Sequence, residues 1–398
     1  MPPKEILQKY ADLLINFALN SGKGIKKGEV VYLQVNEVAK PMYVVLRNTI
    51  LKAGATYISN YMPDDVLREH YELASEEQLS TFHDKYYKGL IDQIDHSVLI
   101  ISETNKHELE SIDPKKIIFR TKALKPFIEW RAEKEHKGRF TWTLALYGTE
   151  AMAKEAKMSL EDYWGQIIKA CYLGEKEPIV KWKEIFCEIE RIKYKLNALK
   201  IEKVYIKGEG IDLTVGIGPG RRWIGGSGRN IPSFEIFISP DWRLTEGTVE
   251  FNQPLYRYGM LIEGIKLMFN KGVVTKASAS KNEKLLKEII AADSGSNKIG
   301  EFSLTDSRFS RIDKFMGETL FDENMGGKYG NVHIALGKAY KDSYPGNLIH
   351  LAKKTWQKLG YNDSVIHTDI ISTTKRTVVA SLIDGTRKII YKDGRFTI

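Results

Sequence analysis

The sequence predicts a mixed α/β protein: an N-terminal α/β domain with a largely parallel sheet, followed by an α+β domain with mostly antiparallel strands. In residues 1 to about 150, short apolar β-branched runs alternate with helical stretches, as in a parallel sheet covered on both faces. Beyond residue 200, short strand patterns are separated by glycine turns, which favours antiparallel strands. The length of 398 residues suggests two or three domains of about 150 residues each, and we predict two, 1–200 and 201–398.

The N-terminal domain is predicted to alternate helices and strands. A first amphipathic helix lies in MPPKEILQKYADLL, a second helix covers 39–54 and ends at Gly54, and another begins near Asp113. Four strands are predicted, EVVYLQV (29–35), ATYISNY (55–61), SVLIIS (97–102) and FTWTLAL (140–146). No G-x-G-x-x-G follows the first strand and no G-x-x-x-x-G-K-[ST] occurs, so we do not predict a nucleotide site.

Two helices between residues 150 and 200 are predicted to bridge the domains. Ser159 and Asp162 form an S-x-x-D capping pattern before the first helix, and Pro178 precedes the second. The glycine cluster at 216–228 leads into no helix, so it is interpreted as turns between strands.

Composition predicts a cytoplasmic protein without a membrane partner. The hydrophobic fraction is 42%, the charged fraction is 28%, and no run of about 18 apolar residues could span a membrane. Glu5, Lys9 and Asp12 interrupt the first segment, so we expect an amphipathic helix there rather than a signal peptide. Cys171 and Cys187 both fall in apolar helical patterns and are expected to be reduced core thiols.

The net charge of +9 would suit an anionic partner. However, lysines and glutamates are interleaved, as in KNEKLLKEII, which is typical of solvated helix faces. No nucleic-acid motif accompanies the charge, so no nucleic-acid partner is predicted.

The histidines differ between the two halves of the chain. In the C-terminal half, His367 and Asp369 lie two positions apart in the strand-like VIHTDI, so both side chains point to one face and can reach one ion. His333 opens HIALGKAY, where a helix would place it on one face with Tyr340. Five histidines of the N-terminal half lie in charged surroundings and are expected at the surface, His70, His83, His96, His107 and His136.

Two glutamates lie in apolar segments of the C-terminal half, Glu235 in NIPSFEIFISP and Glu301 in KIGEFSL. A buried carboxylate is costly unless it is paired or bound to a metal. Together with His333, His367 and Asp369, they would suit a pair of divalent cations. Each residue also has a structural interpretation, such as a capped helix start or an edge-strand charge, and spacing alone leaves both open.

The ordered segments GIDLTVGIG, NIPSFEIFISP, IGEFSL, LFDEN, HIALGKAY and HTDI resemble those of the aminopeptidase T family of metallopeptidases. The N-terminal half is also similar, in KKGEVV, KAGA and AKMSLEDYW, so the likeness covers nearly the whole chain. The resemblance implies an enzyme that releases N-terminal residues from short peptides with a free N-terminus. It also implies two divalent metal ions per chain (zinc, cobalt or manganese), a catalytic C-terminal domain and a homodimer.

The family's site residues map individually onto this chain. The resemblance implies that the metal ligands are Glu235, Glu301, His333, His367 and Asp369. Glu301 is expected to be shared or to act on the attacking water, and Tyr340 to complete a metal's coordination or donate a hydrogen bond to the oxyanion.

The sequence departs from the family pattern beside Glu235. Ser233 stands where the family has threonine, and Phe234 where a small or acidic residue is usual. Phe234 is therefore expected to contribute to substrate binding by changing which side chain the pocket accepts.

Two other functions are open at this stage. His333, His367 and Asp369 alone form the two-histidine, one-carboxylate set of an iron(II) ring-cleaving dioxygenase, but such a site does not need both glutamates. A non-catalytic protein that binds an anionic partner would require a clustered positive face, which the interleaved charges do not indicate.

Overall fold

In the computed structural model, which describes residues 2–346 and 351–398, the chain has the predicted mixed α/β fold. It divides into two compact units: residues 1–186, 226–233 and 316–320 form the first, and residues 187–225, 234–315 and 321–398 form the second. The division into domains at residues 1–200 and 201–398 remains a prediction from the sequence. In the part of the chain described, no helix has the length and apolarity needed to cross a membrane.

The first unit contains a parallel sheet, as predicted, with strand order β2-β1-β3-β4. Its strands are β1 (Val30–Asn36), β2 (Thr56–Met62), β3 (His96–Ile101) and β4 (Thr141–Leu146). Central strand β1 reads VVYLQVN and is mostly buried, because parallel strands are covered on both faces. The α-helices before residue 200 are Lys4–Leu13, Leu19–Gly22, Lys40–Lys52, Leu67–Leu73, Glu76–Ser80, Asp84–Gln93, Pro114–Ala123, Lys125–His136, Glu150–Glu155, Leu160–Ala170 and Pro178–Ala198.

Local signals for the bridging helices are confirmed, but one thiol prediction is wrong. The Ser159 hydroxyl accepts a hydrogen bond from the backbone N–H of Asp162 at 3.0 Å, and the second helix begins at Pro178. Cys171 is buried as expected, whereas Cys187 is exposed. Cys187 lies on the solvent-facing side of the amphipathic helix Pro178–Ala198. Its apolar sequence neighbours had suggested a buried position, but they do not determine which side of the helix the thiol faces.

The prediction that His96 lies at the surface is also wrong, because its side chain is buried. His96 begins β3, a central strand with β1 on one side and β4 on the other, so its ring has neighbours from both sides. There Nε2 lies 2.9 Å from a carboxylate oxygen of Glu29, and Nδ1 lies 2.8 Å from the hydroxyl of Thr141. These partners offset the cost of burying the imidazole.

The second unit is mostly antiparallel, as predicted. An eight-stranded sheet has the order β13-β12-β9-β6-β5-β17-β18-β19, a five-stranded sheet has the order β16-β15-β14-β8-β7, and β10 and β11 form a separate hairpin. The strands are β5 (Ile201–Gly208), β6 (Ile211–Gly216), β7 (Ile224–Gly225), β8 (Glu235–Ile238), β9 (Thr245–Glu250), β10 (Leu255–Arg257), β11 (Met260–Ile262), β12 (Lys266–Asn270), β13 (Val273–Ser278), β14 (Ile299–Thr305), β15 (Asn331–Gly337), β16 (His367–Ser372), β17 (Arg376–Leu382), β18 (Arg387–Lys392) and β19 (Arg395–Phe396). The later α-helices are Glu283–Ile290, Thr319–Asp322 and Lys353–Lys358.

The five-stranded sheet is buried on both faces. All residues of β8, β14 and β15 are buried, although these strands are antiparallel. One face is apolar, with Phe302, Leu304 and Ile334. The other face carries the ionisable side chains, so this sheet positions the candidate site.

Candidate metal centre

Four neighbouring strands bring the five predicted ligands together on one face. β8 supplies Glu235, β14 supplies Glu301, β15 supplies His333, and β16 supplies His367 and Asp369. Because alternate residues of a strand share a face, His367 and Asp369 point the same way, as predicted. The five side chains are therefore brought together by the pairing of neighbouring strands.

A small residue lies between two of the carboxylates. Ala335 of β15 pairs with Glu301 on one side and with Asp369 on the other, so the three form one row across the sheet. The side chain of Ala335 is a single methyl group, which leaves space above it between the two carboxylates.

A β-bulge at Gly300 sets the direction of Glu301. The register of β14 against β15 shifts between Ile299 and Glu301, which places Glu301 opposite Ala335. A Cβ atom on Gly300 would lie 2.4 Å from the carbonyl oxygen of Gly337, so only glycine fits this close approach. The Gly-Glu pair of KIGEFSL is thus a local structural requirement.

His333 to Gly337 of HIALGKAY belong to a strand, so the one-face spacing that a helix would have given does not apply. His333 lies in β15, and Tyr340 follows the end of that strand. Both residues nevertheless lie in the same site, because the residues that follow β15 run beside the start of β16. The rings of Tyr340 and His367 meet edge-on at a centroid distance of 4.9 Å. Tyr340 is held there by its backbone N–H, which donates to the Ser239 hydroxyl at 2.8 Å.

The donor atoms converge closely. Nε2 of His333 lies 2.9 Å from Oε1 of Glu301 and 3.5 Å from Oε2 of Glu235. Nε2 of His367 lies 3.3 Å from Oδ1 of Asp369 and 3.9 Å from Oε2 of Glu301. These atoms form two groups suited to holding a metal ion, Glu235–Glu301–His333 and Glu301–His367–Asp369, and Glu301 belongs to both.

The hydrogen bonds of the histidines suit metal binding. Nδ1 of His367 lies 2.8 Å from the carbonyl oxygen of Lys338, and a carbonyl only accepts, so Nδ1 carries the proton. Nε2 then faces the carboxylates as the atom able to bind a metal. Nδ1 of His333 and the hydroxyl of Ser303 are both buried and have no hydrogen-bond partner within residues 2–346 and 351–398, and the two residues lie directly opposite on β15 and β14.

Burial and mutual charge shift the pKa values of these groups strongly. Burial raises the pKa of Glu235 and the charge of Glu301 adds to this, giving about 8. Burial lowers the pKa of His333, but its hydrogen bond with Glu301 and the neighbouring carboxylates raise it to about 9. For His367, burial lowers the pKa while the charge of Asp369 and its hydrogen bond raise it, also to about 9. In the absence of a metal ion, the raised pKa values favour the protonated forms of Glu235, His333 and His367 at neutral pH, which reduces the repulsion among the carboxylates.

Burial raises the pKa of Tyr340 well above its usual range, and the charges of Glu301, Asp369 and Glu323 act in the same direction. The phenol therefore keeps its proton and can donate a hydrogen bond.

Asn324 and Glu323 lie near the predicted site residues, although the sequence pattern indicated no role for either of them. Oδ1 of Asn324 accepts a hydrogen bond from the backbone N–H of the fully buried Phe234 at 2.7 Å. Glu323 is buried, and its charge acts on Tyr340. Both belong to LFDEN, where two adjacent acidic residues follow two apolar ones, and that pattern was the available signal for burial near a site.

The chain is similar to known proteins over nearly its whole length. A sequence model of the family described as "Thermophilic metalloprotease (M29)" matches residues 3–396. Aminopeptidase T of Thermus thermophilus is 27% identical and aligns over 99% of each chain. Aminopeptidase PepS of Streptococcus thermophilus is 26% identical over 99% of this chain and 98% of its own. The solved structure of wild-type AmpT from Thermus thermophilus matches with a TM-score of 0.85 at 26% identity, covering 99% of this chain and 100% of that chain.

Proposed function

This chain belongs to the thermophilic metalloprotease (M29) family and is a metal-dependent aminopeptidase, and from that premise we propose that five side chains of the second unit hold two divalent cations. These side chains are Glu235, Glu301, His333, His367 and Asp369. The observation that carries the proposal is that Glu301 belongs to both groups of converging donor atoms.

The donor set fits divalent zinc, cobalt or manganese. Three carboxylates and two imidazoles are ligands that these ions accept, whereas an iron–sulfur cluster or a copper(I) site would need thiolates or thioethers. Both histidines direct Nε2 towards the carboxylates, and the backbone carbonyl of Lys338 fixes the tautomer of His367. Two cations would replace the protons that the metal-free cluster retains.

When bound, a pair of divalent cations supplies an acidified water as nucleophile and polarises the scissile carbonyl. We propose that Glu301 would be shared by the two cations and would act from there on the water they bind, because its two oxygens face different histidines. Tyr340 lies beside His367 with a protonated hydroxyl and is placed to donate a hydrogen bond to the developing oxyanion. We propose these as the roles of the two predicted catalytic residues.

Substrates are proposed to be short peptides with a free N-terminus, in line with the names of the matched relatives. Phe234 is proposed to influence which N-terminal side chain is accepted. Because it is fully buried, it would act by shaping the wall of the pocket from behind. We also propose that the protein is a homodimer and is located in the cytoplasm.

The alternative of an iron(II) dioxygenase finds no support among the matched proteins. Glu235 also lies 3.5 Å from Nε2 of His333, within the same cluster as the two-histidine, one-carboxylate set. A single-metal site would leave this buried carboxylate without a function.

The proposal is tested by metal analysis together with hydrolysis. Protein purified without a chelator is analysed by mass spectrometry, and aminoacyl-p-nitroanilides are offered with added zinc, cobalt or manganese. About two metals per chain and metal-dependent hydrolysis are expected. One iron per chain without peptidase activity would exclude the dinuclear site and favour the dioxygenase.

A further inference from the structure

Arg257 occupies a fixed position at the turn of the β10–β11 hairpin. It is the last residue of β10 and pairs with Met260. Tyr258 (φ 51°) and Gly259 (φ 77°) form a two-residue turn with both φ values positive, the type that suits the twist of a hairpin. The short turn limits the range of positions available to the side chain of Arg257.

The hairpin is tied to the strand that carries two of the proposed ligands. Gln253, just before β10, donates its backbone N–H to the carbonyl oxygen of Ile371 at 3.3 Å and its side-chain amide to the Thr373 hydroxyl at 2.9 Å. Ile371 lies in β16, two residues after Asp369. The hairpin therefore lies beside the edge of the metal centre.

Arg257 lies at the end of a strand that packs against the strand of Asp369. β10, whose last residue is Arg257, contacts β16, which carries His367 and Asp369. The guanidinium forms no salt bridge with Asp369, so the two groups are farther apart than an ion pair.

The guanidinium also lacks any other anionic partner in residues 2–346 and 351–398. The side chain is half-buried, its Nε is buried without a hydrogen-bond partner, and no described carboxylate lies within salt-bridge distance. The guanidinium lies over the ring of the adjacent Tyr258, with Cζ of Arg257 5.0 Å from the ring centroid. Arginines are seldom buried without a paired anion, so this one is available to a ligand.

We propose that Arg257 binds the C-terminal carboxylate of di- and tripeptide substrates. This inference rests on the proposed aminopeptidase function and adds the group at the far end of the peptide. The planar guanidinium matches a carboxylate through two parallel hydrogen bonds. An extended residue advances about 3.3–3.6 Å, so a carboxylate one or two residues beyond the scissile bond lies several ångströms from the metal ligands. A cation close to Asp369 but not paired with it suits that distance.

The test compares substrates that differ only in the charge of the C-terminus. With X the aminoacyl group hydrolysed fastest in the nitroanilide panel, kcat/KM is measured for X-Gly and X-Gly-amide. The enzymes are the metal-loaded wild type, Arg257→Gln, Arg257→Lys and the control Arg387→Gln. Arg387 lies in β18, and its guanidinium also lies over a tyrosine ring, with Cζ 5.2 Å from the centroid of Tyr205.

The wild type is expected to prefer the free acid over the amide by about tenfold to a hundredfold, the range of a charge-assisted hydrogen bond. Arg257→Gln is expected to bring the ratio close to one, chiefly by raising KM for the acid, because this contact binds substrate and transition state alike. Arg257→Lys should give an intermediate ratio, and Arg387→Gln should leave it as in the wild type.

Two results would overturn the proposal. One is an acid-to-amide ratio near one in the wild type. The other is an equal loss of kcat for both substrates in Arg257→Gln, which would indicate that Arg257 acts on the oxyanion or on Asp369. Failure of the proposed function would instead appear as no hydrolysis of any substrate by the wild type. Calorimetric binding of Ala-Gly and Ala-Gly-amide to the wild type and Arg257→Gln would then still decide whether the arginine holds the carboxylate.

Discussion

Nε2 of His333 lies 2.9 Å from Oε1 of Glu301, on adjacent strands of a sheet that is buried on both faces. The second oxygen of Glu301 faces His367 at 3.9 Å. One carboxylate is therefore in contact with both histidines of the cluster, and removing its charge should affect both proposed ions.

Glu301→Gln keeps the shape of the side chain but removes the shared negative charge. We expect bound metal to fall to less than half of the wild-type content, and activity to fall about a hundredfold or more, a loss typical of a group that stabilises the transition state. Metal content by mass spectrometry and nitroanilide hydrolysis measure both effects. Glu250→Gln, on β9 and paired only at the surface with Lys266 at 2.8 Å, is the control and should retain both. Full metal content and activity in Glu301→Gln would refute the shared role.

Tyr340→Phe removes only the hydroxyl and keeps the ring against His367. If the phenol donates to the oxyanion, kcat should fall about 10²–10³-fold while the metal content is unchanged. Steady-state kinetics and metal analysis of the same preparation separate the two roles left open by the sequence. A variant that loses metal in proportion to activity would identify Tyr340 as a ligand.

Ala335→Val adds two methyl groups in the space between Glu301 and Asp369. Overpacking a core costs about 1–3 kcal/mol, and here the added volume also occupies the position between two ligands. We expect metal affinity to fall more than the loss of stability explains. Ala380→Val is the matched control, because Ala380 is equally buried but lies in β17 of the eight-stranded sheet. Equal loss of metal in both variants would show that the effect is general overpacking.

The stability of chelator-treated protein should decrease as pH rises. The pKa values of His333 and His367 are raised to about 9, so their contribution is complete below their unfolded value near 6.5 and is lost as pH rises through about 9. The raised pKa of Glu235, about 8, acts in the same direction because folding favours its protonated form. Asp369, with a lowered pKa of about 2, contributes constantly above about pH 5.

Thermal unfolding from pH 6 to pH 10, with and without added zinc, measures this effect. Tm of the metal-free protein should fall across this range, and zinc should reduce the fall because it replaces the protons. A metal-free Tm that rises with pH would contradict the pKa shifts assigned to the cluster.

The residue types of the site could be predicted from the sequence because each ligand is an ionisable residue within an apolar segment. His367 and Asp369 also share a strand, so their common face follows from the alternation of side chains. The conformation around His333 could not be predicted in the same way. HIALGKAY has spacings compatible with a helix, and only pairing with β14 and β16 makes it a strand.

Other features depend on contacts between distant segments. Burial of His96 results from strands on both sides of β3, although the residue before it, Asp95, is charged. Arg257 lies in an unremarkable YRYGM sequence, and its proximity to Asp369 results from hydrogen bonds between the segment before β10 and β16. No sequence spacing encodes such a relationship. The parallel sheet, by contrast, was predicted because each strand and helix carries its own local pattern.

The distribution of the proposed ligands over four strands also affects when the proposed centre can form. Glu235 begins β8, and Asp369 lies in β16, more than 130 residues later. A nascent chain that has not yet reached β16 lacks both His367 and Asp369, so during synthesis a complete centre must await the synthesis of β16. Pairing of such distant strands is a slow step of folding, because long loops close before the contacts between strands form. Metal uptake is therefore expected to occur late in maturation, and peptide hydrolysis would begin only after most of the second unit has folded.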